Sequence, residues 1–464
     1  MLPFKVSHCR HLLLLSIIVA VCGVGCSGLP KPPVLAGKAK PVKTGPFWWG
    51  ASTSNYQIED PDVKPGDKQY FQTDWDLYVK EGGAPPKGNA TYSWTEFERD
   101  LHALKKAGVT HYRFGVEWAR VEPKIGQYND AAIARYVRMA KALKEAGIEP
   151  IVCLWHFTFP DWTFDGKPKN VSCWLDPDTD PRWDLYVTKM VKALAPYVRY
   201  YAPQNEPNGE IATAYLGFQW PPATVADTPL YEKALAASVK QFREAAAIIK
   251  KIRPDALVLS IEALPYWEKS LLDPGSAYYN EMERVNFDHL DRTYDVCDII
   301  GFNYYYSQPA TVLYYLTLPF NKGPKYTSLG WRIDPQALYK QIEKVGNRYG
   351  KPMMITENGI ATEDDAQKIK YLREHIGAIY TAKKAGYDVR GYFVWTLVDN
   401  YEWHHAYTAK FGLFSMDPKT RAREERGAAA FYRELIRSSK GGTQTPAGLP
   451  KVDATTIGPI ARIQ

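Results

Sequence analysis

Cysteine is scarce in this chain of 464 residues, and its few positions do not indicate a cysteine-based framework. Three of the six cysteines lie within the first 26 residues, and the others are Cys153, Cys173 and Cys297. Three is an odd number, and none of the spacings is typical of a zinc site or a disulfide framework. Cys153 fits a buried strand residue, and a Cys153–Cys173 bridge stays open for an exported chain.

Clusters of one charge sign are also missing. The 58 Lys and Arg outnumber the 51 Asp and Glu, which gives a net charge of +7, but the basic residues are scattered. No block of Lys and Arg interleaved with aromatic residues indicates a nucleic-acid surface. The nine histidines likewise show no zinc spacing. We therefore expect no nucleic-acid partner, no metal and no cofactor.

The N-terminus has the pattern of a targeting segment. Two basic residues precede the apolar stretch 12–21, which is too short to span a bilayer comfortably. Gly25 and Cys26 follow, and a small residue before a cysteine resembles a bacterial lipoprotein signal, in which the cysteine is lipidated. Gly23 stands where such signals usually have leucine, so a plain secretory signal is the alternative. We expect an exported protein, anchored by lipidated Cys26 in the periplasm or at the cell surface.

One domain is predicted to occupy most of the chain. Residues 1–25 are the predicted signal, and residues 26–46, rich in Pro, Lys and Gly, are a flexible tether. Residues 438–464 are an irregular C-terminal tail. Between the tether and the tail, residues 47–437 alternate between helix-like and strand-like patterns, as expected for a single α/β domain.

The same helix-to-strand junction occurs three times in that domain. An Ala-Gly pair ends a helical pattern at Gly108, Gly147 and Gly386, where glycine lets the chain turn back into a sheet. Repeated alternation predicts a parallel sheet, and the length favours a single (β/α)8 TIM barrel with long βα loops. The predicted strands lie near residues 47–53, 109–116, 148–155, 198–204, 256–261, 297–302, 352–356 and 390–396.

Two glutamates directly follow predicted strands. Glu206 lies in the sequence Asn-Glu-Pro and Glu357 in Thr-Glu-Asn-Gly. Residues just past the C-terminal end of a barrel strand face the active-site mouth. Two carboxyls there suit cleavage of a glycosidic bond, one as general acid and the other as nucleophile or base. Either residue alone could equally well be an ordinary loop glutamate. The pattern around them makes this interpretation unfavourable for the two together.

Hydrogen-bonding and aromatic residues also follow most of the other predicted strands. Chance would scatter such residues over both ends of a barrel, whereas here they gather at one rim. Three of these residues also have a purely structural interpretation. His156 could be a buried core histidine, Arg113 could form a structural ion pair, and Trp395 could fill the barrel interior. The full set of residues that gather at this rim is Gln57, Arg113, His156, Asn205, Asn303, Tyr305, Trp395, Glu402 and Trp403.

With these motifs the chain resembles the family 1 glycoside hydrolases, the β-glucosidase family. Asn-Glu-Pro alone also occurs in other barrel glycosidases, but here a whole set of motifs appears in the family's order across nearly the whole domain. The fifth predicted strand carries no recognisable motif. The matching stretches are 47–59, 112–123, 156–160, 205–207, 301–305, 356–359 and 392–414.

The resemblance implies a retaining double displacement. Glu357 would attack the anomeric carbon, and Glu206 would protonate the leaving oxygen and later deprotonate water, with the carboxyls ~5 Å apart. Asn205 matches the residue that binds the sugar 2-hydroxyl. Arg113 and Tyr305 match the groups that hold the nucleophile and keep it ionised.

The resemblance also implies a binding pocket for the glycone, the sugar that is cleaved off. Gln57 and Glu402 would bind the 3-, 4- and 6-hydroxyls, and Trp395 would lie under the ring. Glu402 would repel a phosphate, so the implied sugars are unphosphorylated. The full implied substrate-binding set is Gln57, His156, Asn303, Trp395, Glu402 and Trp403.

Several positions depart from the family pattern. Gly115 stands where serine is usual, Thr158 where aspartate or another polar residue is common, and residues 404–407 replace a Gly-Tyr pattern. None of these is one of the two carboxylates. The expected function is exo-acting hydrolysis of small β-glycosides or oligosaccharides. The alternatives are another retaining barrel glycosidase of the endo-glucanase or mannanase type, or a non-catalytic glycan-binding protein on the same fold.

Overall fold

The computed structural model describes residues 45–451, except residues 218, 312 and 314–316. The predicted signal 1–25, the lipidation of Cys26, nearly all of the tether and residues 452–464 lie outside this part and stay predictions. Within the described part, no helix is both long enough and apolar enough to cross a membrane.

Parallel strands form the centre of the domain. The strands of the described residues are, in chain order, β1 (Trp48–Ser52), β2 (His111–Gly115), β3 (Glu149–Cys153), β4 (Tyr200–Ala202), β5 (Leu257–Val258), β6 (Glu262–Ala263), β7 (Tyr266–Glu268), β8 (Ile300–Asn303), β9 (Ser307–Pro309), β10 (Met353–Asn358), β11 (Val389–Trp395), β12 (Phe414–Met416) and β13 (Arg423–Glu425). The main sheet has the order β5-β4-β3-β2-β1-β11-β10-β8-β6.

This sheet closes on itself. Its two outer members, β5 and β6, are consecutive pieces of one stretch, and Leu259 between them bridges Ile299 in parallel. The stretch from β5 to β6 is therefore the fifth strand of an eight-stranded barrel, with β4 on one side and β8 on the other. All eight predicted strands are confirmed, the fifth as two short pieces.

Helices alternate with the barrel strands, as the sequence pattern predicts. Helix α5, for example, buries Ile133, Tyr136, Ala140 and Leu143 on one face. The three predicted junction glycines have positive φ angles of 73°, 75° and 100°. The α-helices of the described residues are α1 (Asn55–Ile58), α2 (Asp74–Lys80), α3 (Phe97–Ala107), α4 (Trp118–Val121), α5 (Asp130–Glu145), α6 (Thr179–Leu194), α7 (Pro207–Tyr215), α8 (Thr228–Ile252), α9 (Ala277–Asp291), α10 (Pro335–Tyr349), α11 (Asp365–Lys384) and α12 (Gly427–Ser438).

The inside of the barrel is a packed core rather than a pore. Its side chains come from six of the eight barrel strands and are almost completely buried: Ile151, Cys153, Ala202, Leu259, Ile261, Ile299, Met354 and Phe393. The prediction that Cys153 is a core residue is confirmed. Cys153 and Cys173 are both buried free thiols, so the open question of a bridge is answered in the negative.

The two ends of the described chain meet at the barrel floor, where the strands begin. The Phe47 backbone N–H donates to the Gly442 carbonyl at 2.8 Å. The Trp49 indole N–H donates to the Ser439 hydroxyl at 3.0 Å. The first residues after α12 thus pack against β1, while the boundaries predicted for the domain and its tail stay predictions.

Candidate active site

Glu357 lies near the C-terminal end of β10 with its carboxyl almost fully buried. The Arg113 Nη2 donates to Oε1, and the Tyr305 hydroxyl donates to Oε2. Burial raises the pKa of Glu357, while the Arg113 charge and the hydrogen bonds from Tyr305 and Arg113 oppose that rise. A positive charge and hydrogen-bond donors of this kind stabilise the ionised form of a buried carboxyl.

The Arg113 guanidinium is itself held in place from two sides. Its Nε donates to the Ser52 hydroxyl at 3.1 Å, and its Nη1 donates to Asn205 Oδ1 at 2.6 Å. The Ser52 hydroxyl in turn donates to the Thr356 carbonyl at 2.8 Å. The ends of β1, β2 and β10 therefore fix the ion pair with Glu357, and the implied role of Arg113 fits its position.

Glu206 follows β4 and has a left-handed backbone conformation, with φ at 45°. Its backbone N–H donates to the Ile261 carbonyl on the fifth strand at 2.6 Å. Its carboxyl accepts a hydrogen bond from Asn303 Nδ2 at 2.8 Å. Burial, followed by the charge of Glu357, raises the pKa of Glu206 to about 8. Glu206 is therefore protonated at neutral pH, the state that a general acid requires.

Asparagine side chains connect the two carboxyls. Asn303 Nδ2 also approaches Asn205 Oδ1 at 3.4 Å, and its Oδ1 accepts from the Thr356 hydroxyl at 2.7 Å. Asn205 Nδ2 lies 3.3 Å from His156 Nε2. Burial lowers the pKa of His156 well below its usual range, so its ring is neutral. The structure thus places Asn303, predicted to bind substrate, against Glu206.

The predicted glycone pocket also comes together. Gln57 Nε2 donates to the Tyr401 carbonyl at 2.7 Å and to Glu402 Oε2 at 3.3 Å. The Trp395 indole N–H reaches Glu402 Oε2 at 3.4 Å. Burial raises the pKa of Glu402 to about 8. Gln57 Oε1 is buried and has no hydrogen-bond partner among the residues that the structure describes, and a sugar hydroxyl would supply one.

Trp403 has a different environment from the other predicted pocket residues. Its ring stacks on Tyr56 with centroids 5.6 Å apart and planes 7° apart, and it packs against Trp75 at 4.5 Å. Phe157 and Trp220 complete this aromatic cluster. The fold thus gathers all eleven predicted catalytic and substrate-binding residues at the rim. The role of each remains a prediction.

One buried carboxylate beside the pocket was missed by the sequence analysis. Glu117 accepts hydrogen bonds from Asn55 Nδ2 at 2.7 Å and from the Thr158 hydroxyl at 3.0 Å. Burial, followed by the negative charge of Glu59, raises the pKa of Glu117 to about 7. A signal was available, because an acidic residue inside the mostly apolar stretch after β2 is unusual in a protein interior.

Known proteins are similar to this chain in sequence and in architecture. A bifunctional β-D-glucosidase/β-D-fucosidase of Bifidobacterium breve is 28% identical over 453 residues, covering 84% of this chain and 97% of its own. A β-galactosidase of Sulfolobus acidocaldarius is 27% identical over 476 residues, covering 85% and 94%. The structure of a β-glycosidase from Pyrococcus horikoshii superposes with a TM-score of 0.72 at 28% identity, covering 85% of this chain and 95% of that one.

The family assignment rests on most of the chain rather than on one motif. The sequence model named "Glycosyl hydrolase family 1" matches residues 42–269 and 274–441. These segments contain the strands, the two carboxyls and the pocket residues described above. The chain belongs to glycosyl hydrolase family 1.

Proposed function

We propose that this family 1 enzyme is a retaining, exo-acting β-glycosidase that removes terminal, unphosphorylated β-linked sugars. The observation that carries the proposal is that two buried carboxyls at one rim have different surroundings. Glu357 receives hydrogen bonds from a guanidinium and a phenol, which favour its charged form. The amide hydrogen bond that Glu206 receives also favours its charged form, but burial and the charge of Glu357 outweigh it and raise the pKa of Glu206 to about 8. Two carboxyls with separated protonation states provide a nucleophile and an acid.

The reaction runs in two displacements. In the first, a Glu357 oxygen bonds to the anomeric carbon while the bond to the leaving oxygen breaks, and that oxygen takes the proton of Glu206. In the second, the Glu206 carboxylate takes a proton from water, and the water oxygen bonds to the anomeric carbon as Glu357 leaves. Each step inverts the anomeric carbon, so the product retains the β configuration.

The pocket supports action on one terminal neutral sugar. Gln57, Trp395 and Glu402 converge through their own hydrogen bonds, and such a cluster suits several hydroxyls of one ring. Burial raises the pKa of Glu402 to about 8, so at neutral pH its carboxyl disfavours a sugar phosphate by offering no positive charge, and it repels the phosphate once ionised. The relatives named as glucosidase/fucosidase and galactosidase support neutral hexosides as substrates. An endo-acting glycosidase would need the two carboxyls but not this cluster.

The first test replaces the proposed nucleophile. Glu357→Gly is assayed on aryl β-glycosides with gluco, galacto, fuco, manno, xylo and 6-phosphogluco glycones. We expect at least a ~10³-fold loss of kcat on the substrates that the wild type hydrolyses, because the covalent step is removed. Azide fits the space left by the carboxylate, so it should restore turnover and give the α-glycosyl azide.

The matched control is Glu363→Gly, an exposed carboxylate in the loop after the same strand. It should leave turnover unchanged. A β-glycosyl azide, or full activity of Glu357→Gly, would contradict the assigned nucleophile. Turnover of the 6-phosphoglucoside alone would contradict the proposed substrate class.

A further inference from the structure

A single buried carboxylate joins two segments of the glycone pocket. Glu117 accepts from Asn55, two residues before Gln57, and from Thr158, two residues after His156. Glu117 is 2% exposed, and both of its partners are 1% exposed. Since Gln57 and His156 come from different barrel strands, their relative placement depends on contacts of this kind.

The same carboxylate also anchors its own segment. Glu117 Oε1 accepts from the Ala119 backbone N–H at 3.3 Å, at the start of α4. The Glu117 backbone N–H donates to the Tyr136 hydroxyl at 3.0 Å, and that hydroxyl donates to Glu59 at 2.9 Å. Arg120 Nε pairs with Glu59 at 3.0 Å. Glu117 is therefore held by fixed groups on the side away from the pocket.

The helix that carries Gln57 is enclosed by this buried network. Lys87 Nζ donates to the carbonyls of Tyr56 and Glu59, at 3.3 and 3.2 Å, on either side of Gln57. The charged groups that act on Glu117 include Glu59, Lys87 and buried Asp74, and Arg120 neutralises Glu59. A helix of four residues has little stability of its own, so these contacts determine where Gln57 lies.

Two departures from the family pattern are explained by contacts with Asn55 and Glu117. A Cβ atom on Gly115 would lie 2.1 Å from Asn55 Oδ1, so the serine that is usual at Gly115 does not fit beside it. Thr158 supplies a hydroxyl donor where the family often has an acid. Gly115 and Thr158 are therefore adapted to Asn55 and to a carboxylate at Glu117.

We propose that Glu117 is a positioning residue for glycone recognition, fixing Gln57 and His156 relative to each other through Asn55 and Thr158. The ligand class is a neutral pyranoside that offers hydroxyls to both side chains. This inference rests on the proposed function, because only there do Gln57 and His156 contact a substrate. Glu117 itself acts through its partners and does not touch the sugar.

The test is Glu117→Gln in the full-length protein. Asn55 and Thr158 both donate to Oε2, and the Ala119 backbone N–H donates to Oε1. The amide has one acceptor oxygen, so its NH2 group would face a donor on one side, and the side chain and its partners would move. We expect kcat/KM for an aryl β-glucoside to fall about tenfold, mainly through a higher KM. The matched control is Glu122→Gln, a buried carboxyl on the same stretch that accepts from Trp118 and Gly126, away from the pocket. Its KM should stay unchanged even if its Tm falls.

A second substrate separates positioning from general damage. A 4-deoxy β-glucoside lacks a hydroxyl proposed to bind Gln57. On this substrate, Glu117→Gln should lower kcat/KM less than threefold, because the contact that the variant weakens is already missing. Equal losses on both substrates would overturn the inference, as would an unchanged KM. Thr158→Val, which removes one donor and keeps the shape, should show the same pattern and serves if Glu117→Gln does not fold.

The proposed function can fail separately. If the wild type turns over no glycoside, the function is wrong, and glucose binding by calorimetry then compares the same variants. Weaker glucose binding by Glu117→Gln than by Glu122→Gln would still support the positioning role. Equal binding would overturn it.

Discussion

The two ends of the barrel bury polar groups in different ways. At the floor, Trp48 stacks on His111 with ring centroids 4.6 Å apart and packs edge-on against Tyr200 at 4.8 Å. Burial lowers the pKa of His111 to about 3, so the ring is neutral. At the rim, Glu206 and Glu357 are buried close enough for the charge of one to raise the pKa of the other. At the floor this buried ring is neutral, whereas at the rim two interacting carboxyls are buried.

The rim also differs from the floor in its backbone conformation. At the rim, Phe157, Glu206 and Trp403 have positive φ angles of 72°, 45° and 48°. The pairing of β10 with β8 also shifts register next to the rim, between Ile355 and Glu357. Unfavourable conformations persist only where surrounding contacts enforce them, and they concentrate at functional sites. The comparison indicates that the floor supplies stability and the rim uses part of it for chemistry.

Among the changes that test this comparison, the largest effect is expected from removing the proposed acid at the rim. Glu206→Ala should lower kcat/KM by ~10²–10⁴-fold for alkyl glycosides, whose leaving groups need a proton. For dinitrophenyl glycosides, the rate of the first step should fall far less. In the wild type, activity should fall as the pH rises through about 8, because Glu206 then loses its proton.

The pH profile measured with Glu206→Ala checks the assignment. Its alkaline limb should disappear, since the titrating group is gone. An alkaline limb that keeps its midpoint in this variant would show that another group supplies the proton.

A smaller effect is expected from one hydrogen bond to the nucleophile. Tyr305→Phe removes a donor to the charged form of Glu357, so the pKa of Glu357 should rise. Activity requires ionised Glu357 and is lost as the pH falls, so the acid limb should move upward by roughly one unit and kcat should drop about tenfold. The neighbouring Tyr306→Phe serves as the control in the same pH-rate measurement. An acid limb that does not move would rule out this tuning role.

The smallest effect on activity is expected from the floor. Phe393 is fully buried in the barrel interior, in register with Gly50 and near His111. Phe393→Ala should lower the free energy of unfolding by about 3–5 kcal/mol through lost burial and a cavity. Both pH limbs should stay in place, and kcat should stay close to the wild-type value. Denaturant unfolding and pH-rate profiles on one sample measure both quantities, and a shifted limb would show that floor and rim are coupled.

The fold was largely predictable because its signals are local. Strand patterns and junction glycines such as Gly147 depend on neighbouring residues, and each can be recognised without knowing the rest of the chain. The positions of Glu206 and Glu357 at the C-terminal ends of strands were predictable for the same reason, although β10 extends to Asn358 and so includes Glu357, which was predicted to follow the strand. The division of the fifth strand into two short pairings was not, because it depends on register with β4 and β8.

The amino-acid sequence by itself determined the barrel, the rim and the identities of the two carboxyls, since periodicity and strand ends encode them. The resemblance implied that Arg113 holds Glu357, but only the tertiary structure brings the two side chains together, because they are 244 residues apart and meet through strand order. It also decided that Glu117 supports the pocket, since Asn55 and Thr158 converge on it from different strands. Protonation and placement depend on distances in space, and a linear pattern contains no such distances.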